Sequence, residues 1–279
     1  MSKVWFITGV GSGIGAGIAK AALKAGDRVV ATARNLDKAL NALLDVAGDN
    51  LAIVQLDVTS EAQAKATVAE AVARFGRIDV AVNNAGYSLL GNFEESTVAE
   101  IEAQFATNFY GVVHVMRAVL PVMRKQRSGH IINIGSSGGV VGLKHCSTYC
   151  ATKFAIEGLA FSVGIEVEPF GIKITTVEPG MFRTDLLDNQ NVRYVKKSGI
   201  DDYAHEGSPE SMWSVYHGTQ PGDPDRLGAA IIKVAAMENP PNIFVAGTDA
   251  IAMIMPCIEG RLSEMRTHDE LSRSTDGSF

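Results

Sequence analysis

Short apolar runs alternate with longer amphipathic stretches through the first 180 residues of the chain. The runs Lys3–Thr8, Arg28–Ala33, Leu51–Leu56, Ile78–Val82, His130–Gly135 and Ile172–Glu178 are apolar almost throughout, the pattern of strands covered on both faces of a parallel sheet. Between them, apolar positions at helical spacing predict helices near Gly15–Ala25, Leu36–Ala47, Ser60–Phe75, Thr97–Lys125 and Ser147–Pro169. A repeated β-α pattern predicts an α/β fold: a doubly wound parallel sheet of about seven strands, helices on both faces, and ligands at the carboxyl ends of the strands.

Two segments break the rhythm. From Leu186 to about Pro224 the sequence is polar and mixed, with Tyr194, Tyr203, Trp213 and Tyr216 spread through it. A connection of that length predicts a lid or binding loop. A helix near Asp225–Met237 and a last strand at Asn242–Ala246 follow. The tail from Asp249 reads as part helical, and its polar end, residues 272–279, is expected to lack order unless docked. With no internal repeat and no linker-like shift, residues 1–279 are expected to form a single domain with a substrate-binding insert at about 186–224 and a C-terminal extension from about 249.

Composition narrows the classes. The 279 residues are 46% hydrophobic and 20% charged, which excludes a disordered chain. A net charge of −6 gives no global positive field for nucleic acid or an anionic membrane surface. Cys146, Cys150 and Cys257 show neither a disulfide framework nor metal-ligand spacing, so no metal is expected. The apolar run Val4–Ile7 is too short for a signal-peptide core, and no stretch reaches the ~18 apolar residues of a membrane span. A cytoplasmic location is expected.

The segment from Thr8 to Gly15, Thr-Gly-Val-Gly-Ser-Gly-Ile-Gly, follows the first strand and opens the first helix. Glycines there permit a tight turn, close approach of backbone N–H groups to a pyrophosphate, and close packing of helix on strand. The setting points to a Rossmann-type dinucleotide site using Gly9, Gly11, Ser12, Gly13, Ile14 and Gly15. After the second strand, where an acid would hold the ribose hydroxyls of NAD, the sequence has Thr32-Ala33-Arg34. Arg34 can pair bidentately with a 2′-phosphate that a carboxylate would repel, which favours NADP(H) and leaves NAD(H) as the less efficient partner. The bland reading of Arg34 is a solvated loop residue. Asp57, beside Val58 after the third strand, either accepts from the adenine amino group or caps the helix near Ser60.

Thr8–Gly15, Asn83-Asn84-Ala85-Gly86, the Ser136 region, Tyr149-Cys150-Ala151-Thr152-Lys153 and Pro179-Gly180 occur in an order and spacing that resembles the short-chain dehydrogenase/reductase superfamily. The likeness runs from residue 3 to about 185 and lies nearest the single-domain carbonyl reductase and hydroxysteroid-dehydrogenase-like branch. It implies hydride exchange between a nicotinamide and a carbonyl carbon, with Tyr149 exchanging the proton. A free phenol has a pKa of about 10, and Lys153, one helical turn on, is expected to lower it and to hold the nicotinamide ribose. Ser136 would hydrogen-bond the substrate oxygen, with Ser137 as the neighbouring alternative. The resemblance assigns the Asn108 backbone carbonyl to a water linked to Lys153. Asn84, Ala85 and Gly86 would approach the cofactor, with Asn83 mainly structural. Pro179, Gly180 and Thr184 would face the nicotinamide, Thr184 serving also as an N-cap.

The substrate pocket is expected from Tyr87, Ser88, Leu89, Leu90, Ser137, Met181, Phe182 and the insert. His145 is read either as a substrate contact or as a surface residue. This apolar set predicts a hydrophobic or aromatic ketone or aldehyde, a reading that Arg183 and Arg193 weaken. Cys146 and Cys150 read as pocket wall rather than as nucleophiles. Two other functions stay open: an NAD-retaining epimerase or dehydratase, and a non-catalytic NADP sensor. By resemblance, the long helices would pair copies into a homodimer or homotetramer.

Overall fold

The computed structural model describes residues 2–188, 192–195 and 200–277. Among the described residues, nine strands follow in chain order: β1 (Val4–Thr8), β2 (Arg28–Ala33), β3 (Leu51–Gln55), β4 (Val80–Asn83), β5 (Leu89–Leu90), β6 (Gly129–Ile134), β7 (Ile172–Pro179), β8 (Arg193–Tyr194) and β9 (Ile243–Ala246). The helices are α1 (Gly13–Lys24), α2 (Leu36–Leu43), α3 (Glu61–Phe75), α4 (Val98–Phe105), α5 (Gly111–Gln126), α6 (Ser147–Val167), α7 (Pro209–Ser214), α8 (Pro224–Ala236), α9 (Thr248–Thr267) and α10 (Asp269–Arg273).

Seven strands form one parallel sheet in the order β3-β2-β1-β4-β6-β7-β9. The expected α/β architecture is therefore present. Alternate residues of each strand feed two cores. Phe6, Val30, Ala81, Ile131 and Ile174 pack toward α3, α5 and α6. Trp5, Ile7, Val29, Val82 and Ile132 pack on the opposite face with α1 and α8. Because both faces are covered, these strands carry no polar alternation, which is why they read as continuous apolar runs.

Three features depart from the sequence expectations. The helix expected over Thr97–Lys125 is interrupted by a π turn, Ala106–Tyr110, where the Gly111 N–H donates to the Ala106 carbonyl five residues back. A separate two-stranded parallel ribbon pairs β5 with β8, Leu89 opposite Arg193 and Leu90 opposite Tyr194. It ties the insert to the loop after β4. The tail is helical from Thr248 to Arg273, α10 ending with Arg273 Nε 2.8 Å from Asp269 Oδ2 one turn back; of the polar end only Ser272 and Arg273 are helical, and residues 278 and 279 lie outside the described residues.

Helices α1 and α8 meet through glycines. A Cβ on Gly228 would strike the Gly17 carbonyl, and one on Gly17 would strike that of Pro224. Both obstacles are backbone, so neither can swing away. Gly228→Ala is expected to destabilise the protein by about 1–2 kcal/mol, overpacking outweighing the ~1 kcal/mol gained in helix propensity. Gly158→Ala on α6, where a Cβ meets nothing within 4 Å, is expected to be neutral or stabilising. Urea unfolding midpoints check both; equal effects would contradict this packing account.

Candidate active site

The carboxyl ends of β1, β2, β4, β6 and β7 open into one cavity of about 610 Å³. Its floor is the glycine turn. Gly9 and Gly13 hold φ of +72° and +59°, conformations that favour glycine. Added Cβ atoms would lie 2.9 Å from Ala85 Cα at Gly9 and 2.9 Å from Thr184 Cβ at Gly13. At Gly15 one would collide with the Asn84 side chain and the Gly9 carbonyl. Thr8 and Asn84 bind the turn to the end of β4. Thr8 Oγ1 accepts from the Asn84 and Ala85 N–H groups at 3.0 and 3.1 Å, while Asn84 Nδ2 donates to the Thr8 and Gly9 carbonyls at 2.9 and 3.0 Å.

This cradle fits a dinucleotide. Ser12 stands at the N-cap of α1 with no side-chain capping bond, and the first turn carries no acid. The helix N-terminus thus offers unpaired donors and positive potential to a pyrophosphate. Arg34, Asp57 and Val58 line the same cavity, as do Ala85 and Gly86. So does Lys38, which sequence reasoning missed. It stands in the first turn of α2, four residues after Arg34 and 3.6 Å from Asp185, and that first-turn position is the signal that could have found it. Asp57 does not cap α3; Ser60 does, accepting from the Gln63 N–H at 3.2 Å. Asp57 instead accepts from the Thr59 N–H and hydroxyl at 2.9 and 2.7 Å. Burial works to raise its carboxyl, but those bonds and the Arg34 charge hold it below the usual range.

Ser136, Tyr149 and Lys153 line the same cavity. Ser136 ends the loop after β6, and its hydroxyl accepts from the Gly138 N–H at 3.0 Å. Lys153 is only 7% exposed; its ammonium donates to the Ile134 carbonyl at 2.7 Å and lies 5.6 Å from the centre of the Tyr149 ring. Burial depresses this lysine to about 8 and pushes the Tyr149 phenol up to about 12, against a hydrogen bond from Ser136. The expectation that Lys153 draws the phenol down is therefore not met in this geometry. Its ammonium lies over the ring and is committed to a carbonyl.

Asn108 sits in the π turn, and its side chain brackets Tyr87, Oδ1 accepting from the N–H at 3.1 Å and Nδ2 donating to the carbonyl at 3.0 Å. Gln104 helps it, accepting from the Leu89 N–H at 2.7 Å and donating to the Tyr87 carbonyl at 2.7 Å. Asn83 donates to Asn133 at 2.8 Å inside the sheet, a structural contact. Pro179, Gly180 and Thr184 border the cavity. Thr184 also caps the turn after it, accepting from the Leu186 N–H at 3.2 Å.

Tyr87, Ser88, Leu90, Ser137, Met181 and Phe182 line the remainder, joined by Leu187, Met212, Trp213, Tyr216 and Gln220 from the insert and Met253 from α9. Two expectations need correction. Leu89 is not in the lining, because the pleat of β5 turns Leu90 inward instead. His145 is neither in the lining nor at the surface; it is 6% exposed, with Nδ1 2.8 Å from Asn92 Oδ1 and a φ of +62°. Arg183 turns to Asp223 at 3.8 Å, whereas Arg193 does line the cavity, its guanidinium 4.8 Å over the Tyr87 ring. Burial raises the thiols of Cys146 and Cys150, which suits a wall and not a nucleophile.

A family model described as short chain dehydrogenase matches residues 3–194. The chain belongs to the short chain dehydrogenase family. It is 37% identical over 240 residues to a 3-ketodihydrosphingosine reductase of Bacteroides thetaiotaomicron, covering 86% of each chain. A short-chain dehydrogenase structure from Streptomyces avermitilis matches with a TM-score of 0.89 at 38% identity, over 99% of this chain and 100% of that one. ElxO with NADP bound matches with a TM-score of 0.75 at 29% identity, over 90% of this chain and 100% of that one. Other structures with this fold are complexed with NADH or NAD. As a member of the family this protein is an oxidoreductase that uses a pyridine nucleotide. Among the described residues no helix is long and apolar enough to cross a membrane, and no group of three or more His, Cys, Asp and Glu could hold a metal.

In this short chain dehydrogenase the helix of Tyr149 and Lys153 also carries Glu157, one further turn along the same face. Glu157 shares a hydrogen bond with Glu178, which is 2% exposed at the end of β7. Burial and the neighbouring carboxylate push Glu178 up to about 7, so it holds a proton that the unfolded chain releases near 4.5. Its contribution to stability is present below 4.5 and is lost as pH rises through about 7. Glu178→Gln keeps a donor for Glu157 without the titration. Relative to the parent, its Tm is expected to rise by a few degrees at pH 8 and hardly at pH 5. Thermal unfolding across that range checks this; a pH-independent difference would contradict it.

Proposed function

We propose that this protein is an NADP(H)-dependent reductase of apolar ketones or aldehydes, reversible as an alcohol dehydrogenase, with Ser136, Tyr149, Lys153 and Asn108 as its catalytic set. The observation that carries the reading is that Ser136, Tyr149 and Lys153 line one cavity together with the glycine cradle and a largely apolar set from the insert. NADPH, when bound, supplies the hydride that adds to the carbonyl carbon.

The chain's own groups do the rest. N–H groups of the glycine turn and the α1 N-terminus hold the pyrophosphate. Arg34 and Lys38 hold the 2′-phosphate, Asp57 the adenine amino group, and Pro179, Gly180 and Thr184 the nicotinamide side. Ser136 donates to the substrate oxygen, and Tyr149 delivers the proton as negative charge develops there. A phenol held up at about 12 stays protonated at neutral pH, which favours reduction. Lys153, whose charge survives to about 8 and which is held by the Ile134 carbonyl, binds the nicotinamide ribose. The π turn at Asn108 loosens helical bonding where a water joining Lys153 to solvent would attach. Support for the substrate class comes from the lining and from a relative named for reducing a keto compound. Support for NADP comes from Arg34, from Ala33 in place of an acid, and from NADP-bound ElxO. The exposed Phe154, Phe161 and Ile165 on α6 support assembly into a homodimer or homotetramer.

Tyr149→Phe is expected to lower kcat by about a hundredfold or more with little change in NADPH affinity. Steady-state kinetics with direct NADPH titration checks this, and retained turnover removes Tyr149 from the mechanism. Ala33→Asp with Arg34→Ala is expected to shift the NADPH/NADH ratio of kcat/KM toward NADH by about a hundredfold. An unchanged ratio would refute the cofactor assignment.

A further inference from the structure

The C-terminal helix leaves the body of the protein with an uncovered apolar face. At its start Ala250 and Ile254 are buried, and Cys257 Sγ lies 3.6 Å from the Val140 carbonyl. From residue 255 to 277 every residue is exposed. Among the described residues, no hydrogen bond or ion pair joins residues 258–277 to the rest of the chain. Yet α9 runs on to Thr267, through Pro256 and Gly260. The proline removes one helical hydrogen bond and the glycine lowers helix propensity. A free helix of this length is marginal in water, because helices in proteins are held mainly by the packing of an apolar face.

The face available for that packing is narrow. Ile251, Met255, Ile258, Leu262 and Met265 follow at spacings of four, three, four and three, each between 44% and 65% exposed. On an ideal helix they fall within an arc of about 80°. That is narrower than the stripe by which a helix packs on a globular body, and it is the pattern of a seam between two paired helices. Pro256 and Gly260 lie on the opposite side, away from the seam.

The charges beside the seam choose its occupant. Glu259 follows Ile258 and Arg266 follows Met265, so the two stand on one flank, seven residues apart. Neither has an ionic partner among the described residues. A second copy running antiparallel meets this flank with the same flank reversed, which sets Glu259 against the partner's Arg266 and Arg266 against the partner's Glu259. A parallel copy would instead bring Arg261 toward the partner's Arg266. An anionic lipid surface fits poorly, because the tail from Asp249 to Asp276 holds three arginines and no lysine against six carboxylates. We infer that α9 is an assembly surface, which pairs antiparallel with α9 of a second copy about a two-fold axis near Leu262 and Met265. Such a contact is isologous, so both copies bury the same seam and both charge pairs form at once. It uses a face distinct from that of Phe154, Phe161 and Ile165 on α6, and it does not depend on the proposed reaction.

Sedimentation velocity of the full chain over a concentration series tests this. Leu262→Glu with Met265→Glu places charge in the seam at exposed positions, so the melting temperature of the body is expected to hold. Assembly is expected to fall by one step, tetramer to dimer or dimer to monomer, with association weakened by about a hundredfold or more. Glu259→Arg or Arg266→Glu alone is expected to weaken association by about fivefold, and the double reversal to restore it. A parent that stays monomeric at every concentration, an assembly that the seam substitutions leave unchanged, or a double reversal that restores nothing would overturn the inference. Cosedimentation with phosphatidylcholine and phosphatidylserine vesicles, lost in the seam variant while its assembly is unchanged, would overturn it in favour of a lipid surface.

Discussion

A lysine ammonium almost wholly withdrawn from water governs this site. Lys153 is fixed by one carbonyl, that of Ile134 at the end of β6, and lies over the ring of the tyrosine one turn before it on α6. Burying such a charge is tolerable only with a fixed acceptor, here the Ile134 carbonyl. The hydrogen bond ties α6 to the sheet at the level where Ser136 emerges. The helix that carries Tyr149 and the loop that carries Ser136 therefore keep one mutual geometry.

The cofactor side depends on a comparable economy of groups. Thr8 and Asn84 spend their hydrogen bonds on joining the ends of β1 and β4, so the glycine turn can hold positive φ and leave helix donors facing the cavity. Asn108 and Gln104 do the same for Tyr87. Residues that a motif reading places against a ligand thus serve largely by shaping backbone. The insert then closes the cavity through β8, α7 and the Phe182–Gly222 bridge.

Much of this was legible from residues alone, for a physical reason. Strands buried on both faces show as apolar runs, and a glycine turn between strand and helix admits few uses. What escaped was contact information without a local signal. Two-residue strands such as Leu89–Leu90 have no period, so the inward phase of Leu90 could not be separated from that of Leu89. A π turn keeps helical spacing on both sides, which hid the break at Ala106–Tyr110. His145 reads as a surface loop residue until its left-handed backbone and its contact with Asn92 are seen. The pairing of Glu157 with Glu178 and the backbone bonds of Gly222 to Met181 and Arg183 join segments far apart in sequence.

The fate of NADPH in the presence of an apolar ketone tests the proposed catalysis most directly. NADPH oxidation followed optically, with the product quantified, is expected to show oxidation only when ketone is present and one alcohol formed for each NADPH consumed. A protein that binds NADPH yet oxidises none of it with any aryl, alkyl or steroid ketone would contradict the catalytic reading.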